Sequence, residues 1–211
     1  QDDGIYILLK EVVDNAIDEF TMGFGKQVQI TVEDGMVTVR DFGRGIPHEN
    51  DSVIRCVSSL NTGGKFDDKN FKKSVGMNGV GTKAVNALSS SFYIESFRDG
   101  QSSWAKYERG ILLDSGKKDG VSERNGTFVS FVPDTEMFGN YAFNMEYVET
   151  MVKNYSYLKK GLTLTLNGTS YKSENGLLDL VNERMEETPL YPLIHLEDTD
   201  IEIVLTHGNS Y

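Results

Sequence analysis

Glu11-Val12-Val13-Asp14-Asn15-Ala16-Ile17-Asp18-Glu19 is the stretch on which the fold of this 211-residue chain turns. Glu11, Asn15 and Asp18 fall at i, i+4 and i+7 and share one helix face, while Leu9, Val13, Ala16 and Phe20 line another at the same period. This predicts a helix packed on a core with one side and on a polar cavity with the other. Taken alone, the polar face would better suit a solvated helix surface. Downstream, Val28, Ile30 and Val32 alternate with polar residues, Asp34-Gly35 signals a type I′ turn, and Val37 and Val39 alternate again, which predicts a hairpin. A period of two then puts Asp41 in the row of Val37 and Val39, so a carboxylate faces the core and needs a donor. Asp41-Phe42-Gly43-Arg44-Gly45-Ile46-Pro47 continues the chain, with glycines that let another group approach the backbone. A capped turn would explain those glycines but not the buried carboxylate.

Composition bounds the rest. Apolar residues make up 38% and charged residues 25%, an ordinary globular balance with room for one sizeable core. Lys and Arg number 21 against 32 Asp and Glu, a net charge of −11, which suits a poor general binder of DNA phosphates. The single cysteine, Cys56, excludes an internal disulfide and reads as core filler in a reducing compartment. His48, His195 and His207 are scattered without ligand spacing, so no His/Cys metal site is expected. No apolar run is long enough for a bilayer and nothing resembles a signal peptide, so a cytoplasmic, membrane-free protein is expected. With no methionine and no arm ahead of the first helix, the chain reads as cut to length or edited.

In order, Asp2 or Asp3 offers an N-cap to the first helix and Gly23 or Gly25 a stop. Residues 51–60 read as a helix and 61–73 as a polar loop. Ser74 to Gly81 is glycine-rich and runs into a helix from Thr82 to Ser89; glycines at a helix start present free N–H groups to an anion. The pattern is neither a Walker A loop nor a dinucleotide fingerprint. Ser91 to Arg98 and Ser102 to Arg109 predict a second hairpin around Asp99-Gly100. Residues 110–125 read as irregular, and Gly126 to Pro133 as a strand with Thr127 at its start. Asn144 caps a helix reaching about Lys160 and closed by Gly161. Leu162 to Leu166 and Thr169 to Lys172 form a third hairpin, Leu177 to Met185 a short helix, and Ile201 to Thr206 a strand without a partner. A composition change places a boundary near 187–195, giving domains at 1–188 and 189–211.

Glu11-x-x-x-Asn15-Ala16-x-Asp18 followed by Asp41-x-Gly43-x-Gly45-Ile46-Pro47 resembles the first two nucleotide-binding boxes of the GHKL ATPases, the family of gyrase-type topoisomerases, Hsp90, MutL and histidine kinases. Gly63-Gly64-Lys65-Phe66-Asp67 leading to Gly76-Met77-Asn78-Gly79-Val80-Gly81 resembles the B subunits of bacterial type IIA topoisomerases in particular, with the topoisomerase IV branch read ahead of gyrase. The resemblance implies the Bergerat fold: an α+β, two-layer sandwich with helices on one face of a mixed, mostly antiparallel sheet and a lid over ATP. It makes Glu11 the general base, Asn15 the Mg²⁺ ligand, and Asp41 the acceptor of the adenine amino group, assisted by Thr127 through water. Arg44, Gly45 and Pro47 match the rim of the pocket, with Glu19 a candidate ion-pair partner of Arg44. Val12, Ala16, Val39, Ile46 and Val129 match an apolar slot. Lys65, Gly76, Met77, Asn78, Gly79, Val80, Gly81 and Thr82 match the phosphate lid.

The same resemblance implies ATP and Mg²⁺ as cofactors. It also implies a topoisomerase A subunit as partner, duplex DNA held by other domains, and ATP-driven homodimerisation through an N-terminal arm not matched here, the fragment itself being monomeric. Residues 189–211 would open a truncated transducer domain, short of the lysine that reaches the γ-phosphate. Several positions depart from the family pattern. Tyr6 and Ile7 stand where two histidines are usual, Phe42 where a second aspartate is common, and Asn78 where histidine is frequent. Trp104 replaces a coumarin-contacting arginine, which predicts weak coumarin binding. The competing reading is a non-hydrolysing nucleotide switch in which ATP orders Thr62 to Val75 for a partner. A histidine kinase is disfavoured because no phosphoacceptor helix is visible.

Overall fold

The first helix, α1 (Asp3–Thr21), buries Leu9, Val12, Val13, Ala16 and Ile17 along one side. It stops where the Gly23 N–H bonds back to Phe20 O with Gly23 at φ 92°, a conformation open to glycine. Asp3 lies inside the first turn rather than capping it. The structure is a computed structural model that describes residues 3–58, 79–186 and 188–208, with only the backbone at 79 and 80. Among these residues no helix is long and apolar enough to cross a membrane.

Strands β1 (Gln27–Glu33) and β2 (Met36–Asp41) pair antiparallel across Asp34-Gly35, both at positive φ as a type I′ turn needs. The 3-10 turn Glu49–Asp51 leads into α2 (Ser52–Val57), and α3 (Gly79–Ala87) precedes β3 (Ser89–Arg98). β4 (Gln101–Glu108) returns through Asp99-Gly100, β5 (Ile111–Asp119) follows, and β6 (Gly126–Pro133) comes next. After the one-turn α4 (Thr135–Phe138), α5 (Met145–Leu158) starts at Asn144, whose side chain accepts the Tyr147 N–H. β7 (Thr163–Leu166), β8 (Thr169–Tyr171), α6 (Leu177–Arg184), β9 (Ile194–Glu197) and β10 (Glu202–Leu205) complete the order.

Eight strands form one sheet in the order β5-β4-β3-β6-β2-β1-β7-β8. β1 and β7 run parallel and every other pair runs antiparallel, which is the mixed sheet expected. Its inward row, with Val28, Ile30, Val37, Val39, Phe92, Ile94, Phe131 and Leu164, packs against α1, α2, α3 and α5. Each such side chain contributes about 1.5–3 kcal/mol on burial, which offsets the entropy of ordering the chain. The strands alternate buried and exposed positions because only one face carries helices.

Three expectations are corrected. Residues 110–125 are not irregular: Ile111 to Asp119 form β5, an edge strand held by its ladder to β4, with almost every side chain exposed. The strand at 201–206 has a partner, because β10 pairs with β9 in a separate two-stranded sheet. The helix read over 51–60 is confined, among the described residues, to α2. In the β9–β10 hairpin, Leu196 and Ile203 face each other on one side beside Ile194 and Leu205, all exposed. On its other side Lys160 pairs with Glu197, which ties the hairpin to the body, while His195 and Glu202 at 2.9 Å link its two strands to each other.

Candidate functional site

A cavity of about 760 Å³, counting its open mouth, lies between α1 and the sheet. α1 supplies Val12, Asn15, Ala16 and Glu19 to its wall; β2 supplies Val39 and Asp41, and β6 supplies Thr127 and Val129. Gly45 and Ile46 close one side and Thr82 of α3 another. Eleven of the residues to which the sequence gives a part in the site therefore converge here: Val12, Asn15, Ala16, Glu19, Val39, Asp41, Gly45, Ile46, Thr82, Thr127 and Val129. Cys56, Val57 and Ile94 complete the wall. Cys56 is core filler as read, its thiol pushed up to about 12 by burial, yet it also borders the cavity.

Asp41 is 7% exposed and ends the inward row of β2. Its Oδ1 accepts the N–H of Gly43 at 2.9 Å and of Thr127 at 3.2 Å. The main chain thus meets part of the need for a donor that the sequence raises, at one of the two oxygens. Among the described residues no hydrogen bond engages Oδ2, which leaves that oxygen for whatever fills the cavity. Burial pushes the carboxyl up to about 6, and the Glu19 charge pushes the same way, against the pull of the Gly43 and Thr127 N–H groups and of Arg40.

The turn after Asp41 is fixed by a side chain the sequence did not disclose. Ser96 on β3 is fully buried; its hydroxyl accepts the Ile46 N–H at 2.8 Å and donates to Ile46 O at 2.7 Å. His48 Nε2 adds a bond to Ser96 O at 3.0 Å. Gly45 (φ 77°) permits this closeness, since a Cβ there would stand 2.5 Å from Phe97 O. Arg44 and Pro47 lie outside the wall itself, and Arg44 reaches it through Glu19, with Nη2 to Oε1 at 2.9 Å and Nε to Oε2 at 3.2 Å.

At the other end, Asn15 Nδ2 donates to Thr82 Oγ1 at 2.5 Å, joining α1 to the first turns of α3. Glu11 is not part of the cavity wall; it stands beside Gly81, where an added Cβ would overlap its Oε2. Glu11 makes no hydrogen bond among the described residues, and Tyr6 does not orient it. The Tyr6 hydroxyl instead accepts the Asn144 N–H at 2.8 Å, and its ring packs on Phe143 and Tyr147. Asp18 lies off the cavity, where burial and Asp14 raise its carboxyl while Lys159 lowers it. Trp104 also lies off the cavity, stacked on Tyr93 at 6.2 Å. Lys65, Gly76, Met77 and Asn78 lie outside the described residues, and Gly79 and Val80 are described only as the backbone opening α3.

Residues 1–136 match the family model described as histidine kinase-, DNA gyrase B-, and HSP90-like ATPase. Over all 211 residues the chain is 43% identical to the B subunit of DNA topoisomerase 4 from Borreliella burgdorferi, of which it covers 35%. It is 36% identical to the B subunit of DNA gyrase from Enterococcus faecalis, with 99% of this chain and 36% of that protein covered. The fold superposes with a TM-score of 0.78 and 28% identity on the crystal structure of the 43K ATPase domain of Thermus thermophilus gyrase B in complex with an aminocoumarin, over 96% of this chain and 56% of that one. The chain spans about a third of the length of these two curated relatives. It belongs to the histidine kinase-, DNA gyrase B- and HSP90-like ATPase family, on the branch of the type IIA topoisomerase B subunits.

Proposed function

We propose that this chain binds ATP with Mg²⁺ and forms the ATPase part of a topoisomerase IV B subunit. The observation that carries the reading is Asp41: an almost fully buried carboxylate that, among the described residues, takes its two donors on Oδ1 and keeps Oδ2 for a ligand, beside the apolar side chains of Val12, Ala16, Val39, Ile46 and Val129. A flat aromatic group with an exocyclic amino donor matches that slot, Val12, Ala16, Val39, Ile46 and Val129 packing its ring and Asp41 accepting its N–H, with Thr127 assisting through water. The phosphates would then lie toward Thr82 and the start of α3, whose first-turn N–H groups have no helical partner.

Among the described residues no group of three or more His, Cys, Asp or Glu could hold a metal. Asn15 gives its Nδ2 to Thr82, and its amide oxygen would be the protein ligand of a cation carried mainly by phosphate oxygens and water, as Mg²⁺ prefers. Mg²⁺ would neutralise phosphate charge there. Glu11, one turn before the wall residue Asn15 on α1 and beside Gly81, would take the proton of the attacking water, and Lys65 with Gly76 to Thr82 would cover the phosphates. Arg44, Gly45 and Pro47 would edge the adenine end.

In the longer protein, ATP would drive dimerisation of two B subunits and, with the A subunit and DNA-holding domains, passage of one duplex through another. Residues 189–211, whose hairpin forms a sheet of its own, would begin the transducer domain. The 43% identity to a topoisomerase 4 B subunit favours that branch; the 36% identity to a gyrase B supports gyrase as the second reading. Calorimetric titration with a non-hydrolysable ATP analogue and Mg²⁺, with GTP as control, tests the site. Saturable, adenine-selective binding supports it, and equal binding of both nucleotides would refute it.

A further inference from the structure

We propose that Arg40 is a positioning residue for Asp41: its guanidinium, seated between two phenylalanine rings, ties the Asp41 main chain to the segment that delivers Thr127. The proposal rests on the reading of Asp41 as the adenine acceptor. Arg40 precedes Asp41 on β2 and so projects to the opposite, helix-free face of the sheet. There its guanidinium lies 4.4 Å from the ring centre of Phe42 and 4.7 Å from that of Phe97, while Arg124 stacks on Phe42 at 4.5 Å. Its Nη1 donates to the main-chain oxygen of Asp41 and its Nη2 to that of Arg124. Three residues beyond Arg124, the Thr127 N–H donates to Asp41 Oδ1. One planar group therefore holds together the strand end that carries the acceptor and the strand start that carries one of its two donors.

Gly126 marks how close these segments come, since a Cβ there would overlap both Asp41 O and Arg40 Nη1. Phe42, the departure from the double-aspartate pattern, gains a purpose. A carboxylate at that position would compete with the two carbonyls for the guanidinium, whereas a ring offers it a face and no acceptor. The charged groups facing Arg40 are Asp41, Arg124, Glu123 and Glu95, and those facing Asp41 are Glu19 and Arg40. Lysine could supply the charge but not a flat fork that stacks and bridges two carbonyls at once.

The test compares wild type, Arg40→Met and Arg40→Lys. NMR titration follows the Asp41 carboxyl in the ligand-free protein, and calorimetry follows the non-hydrolysable ATP analogue with Mg²⁺ and GTP. Both variants are expected to raise the Asp41 midpoint and to weaken the adenine nucleotide by about tenfold, with GTP unchanged. Wild-type behaviour in Arg40→Lys would reduce Arg40 to a mere charge and overturn the clamp; an unmoved midpoint and affinity in Arg40→Met would overturn it outright. Should Arg40→Met fail to fold, Phe42→Leu opens the ring slot with Arg40 retained and is expected to shift both readouts the same way, unchanged values counting against the clamp. If wild type binds no adenine nucleotide, the proposed function falls, and the Asp41 midpoint in the ligand-free variants alone decides the positioning role.

Discussion

Glu19 and Arg44 form a two-pronged ion pair across the chain reversal beside the cavity, and Glu19 Oε2 also accepts the Arg44 main-chain N–H at 2.9 Å. The carboxylate therefore fixes both the backbone and the side chain of the residue after Gly43. Gly43 makes room for it, since a Cβ there would lie 2.5 Å from Glu19 Oε2. Removing Glu19 strands three donors at a partly buried site. Glu19→Ala is expected to cost about 1–3 kcal/mol of stability, measured by urea unfolding at neutral pH. It should also lower the Asp41 carboxyl, because Glu19 raises it.

Asp41 couples nucleotide affinity and stability to pH in opposite directions. Its folded-state value of about 6 stands above the ordinary 3.8, so the fold holds the proton more tightly than the unfolded chain does. The resulting stability is fully present below about pH 4 and is lost as pH rises through about 6, a change on the order of 3 kcal/mol. Adenine binding runs the other way, since protonation removes the acceptor and affinity should fall as pH drops below about 6. Parallel unfolding and calorimetric series between about pH 3.5 and 8 check both slopes, and Asp41→Asn should flatten the stability slope.

Ser96 holds the turn that edges the cavity through two bonds to Ile46 from a fully buried hydroxyl. Ser96→Ala leaves the Ile46 N–H and C=O unpaired. Thermal unfolding should show a loss of about 1–3 kcal/mol, and affinity for the ATP analogue should weaken more than about threefold as the turn slackens.

Gly81 lets α3 approach Glu11. Gly81→Ala would push the Glu11 carboxylate aside, and a displacement of this kind costs about 10²-fold in hydrolysis when the group is the general base. Steady-state turnover in a form of the protein that hydrolyses ATP checks this, with analogue affinity falling much less than the rate. Parallel losses in rate and affinity would argue that Glu11 only helps to bind.

Local signals carried most of the fold. The hairpin turns Asp34-Gly35, Asp99-Gly100 and Asn167-Gly168 all place two residues at positive φ, which only a few residue types adopt readily. The period of two along β2 is enough by itself to turn Asp41 inward. What escaped depends on distant partners. β5 has no alternation because, among the described residues, its side chains are exposed on both faces almost throughout, so only its backbone ladder to β4 marks it as a strand. The parallel β1–β7 pair joins residues more than 130 positions apart, and neither strand's pattern announces it. Ser96 and Ile94 enter the site through the register of β3 against β6, where Ser96 faces Thr127 and Ile94 faces Val129. Cys56 could have been found, since it shares a short apolar helix with Val57, but its sequence alone gives no direction to the cavity.

The central claim is that Asp41 Oδ2 accepts the amino group of adenine. Calorimetric titration of Asp41→Asn with the ATP analogue and Mg²⁺ at about pH 7.5 tests it most directly, because the amide keeps the shape of the carboxylate and can present an N–H in its place. A loss of about 2 kcal/mol, roughly thirtyfold in affinity, is the predicted result. Equal affinity in wild type and Asp41→Asn would contradict the claim.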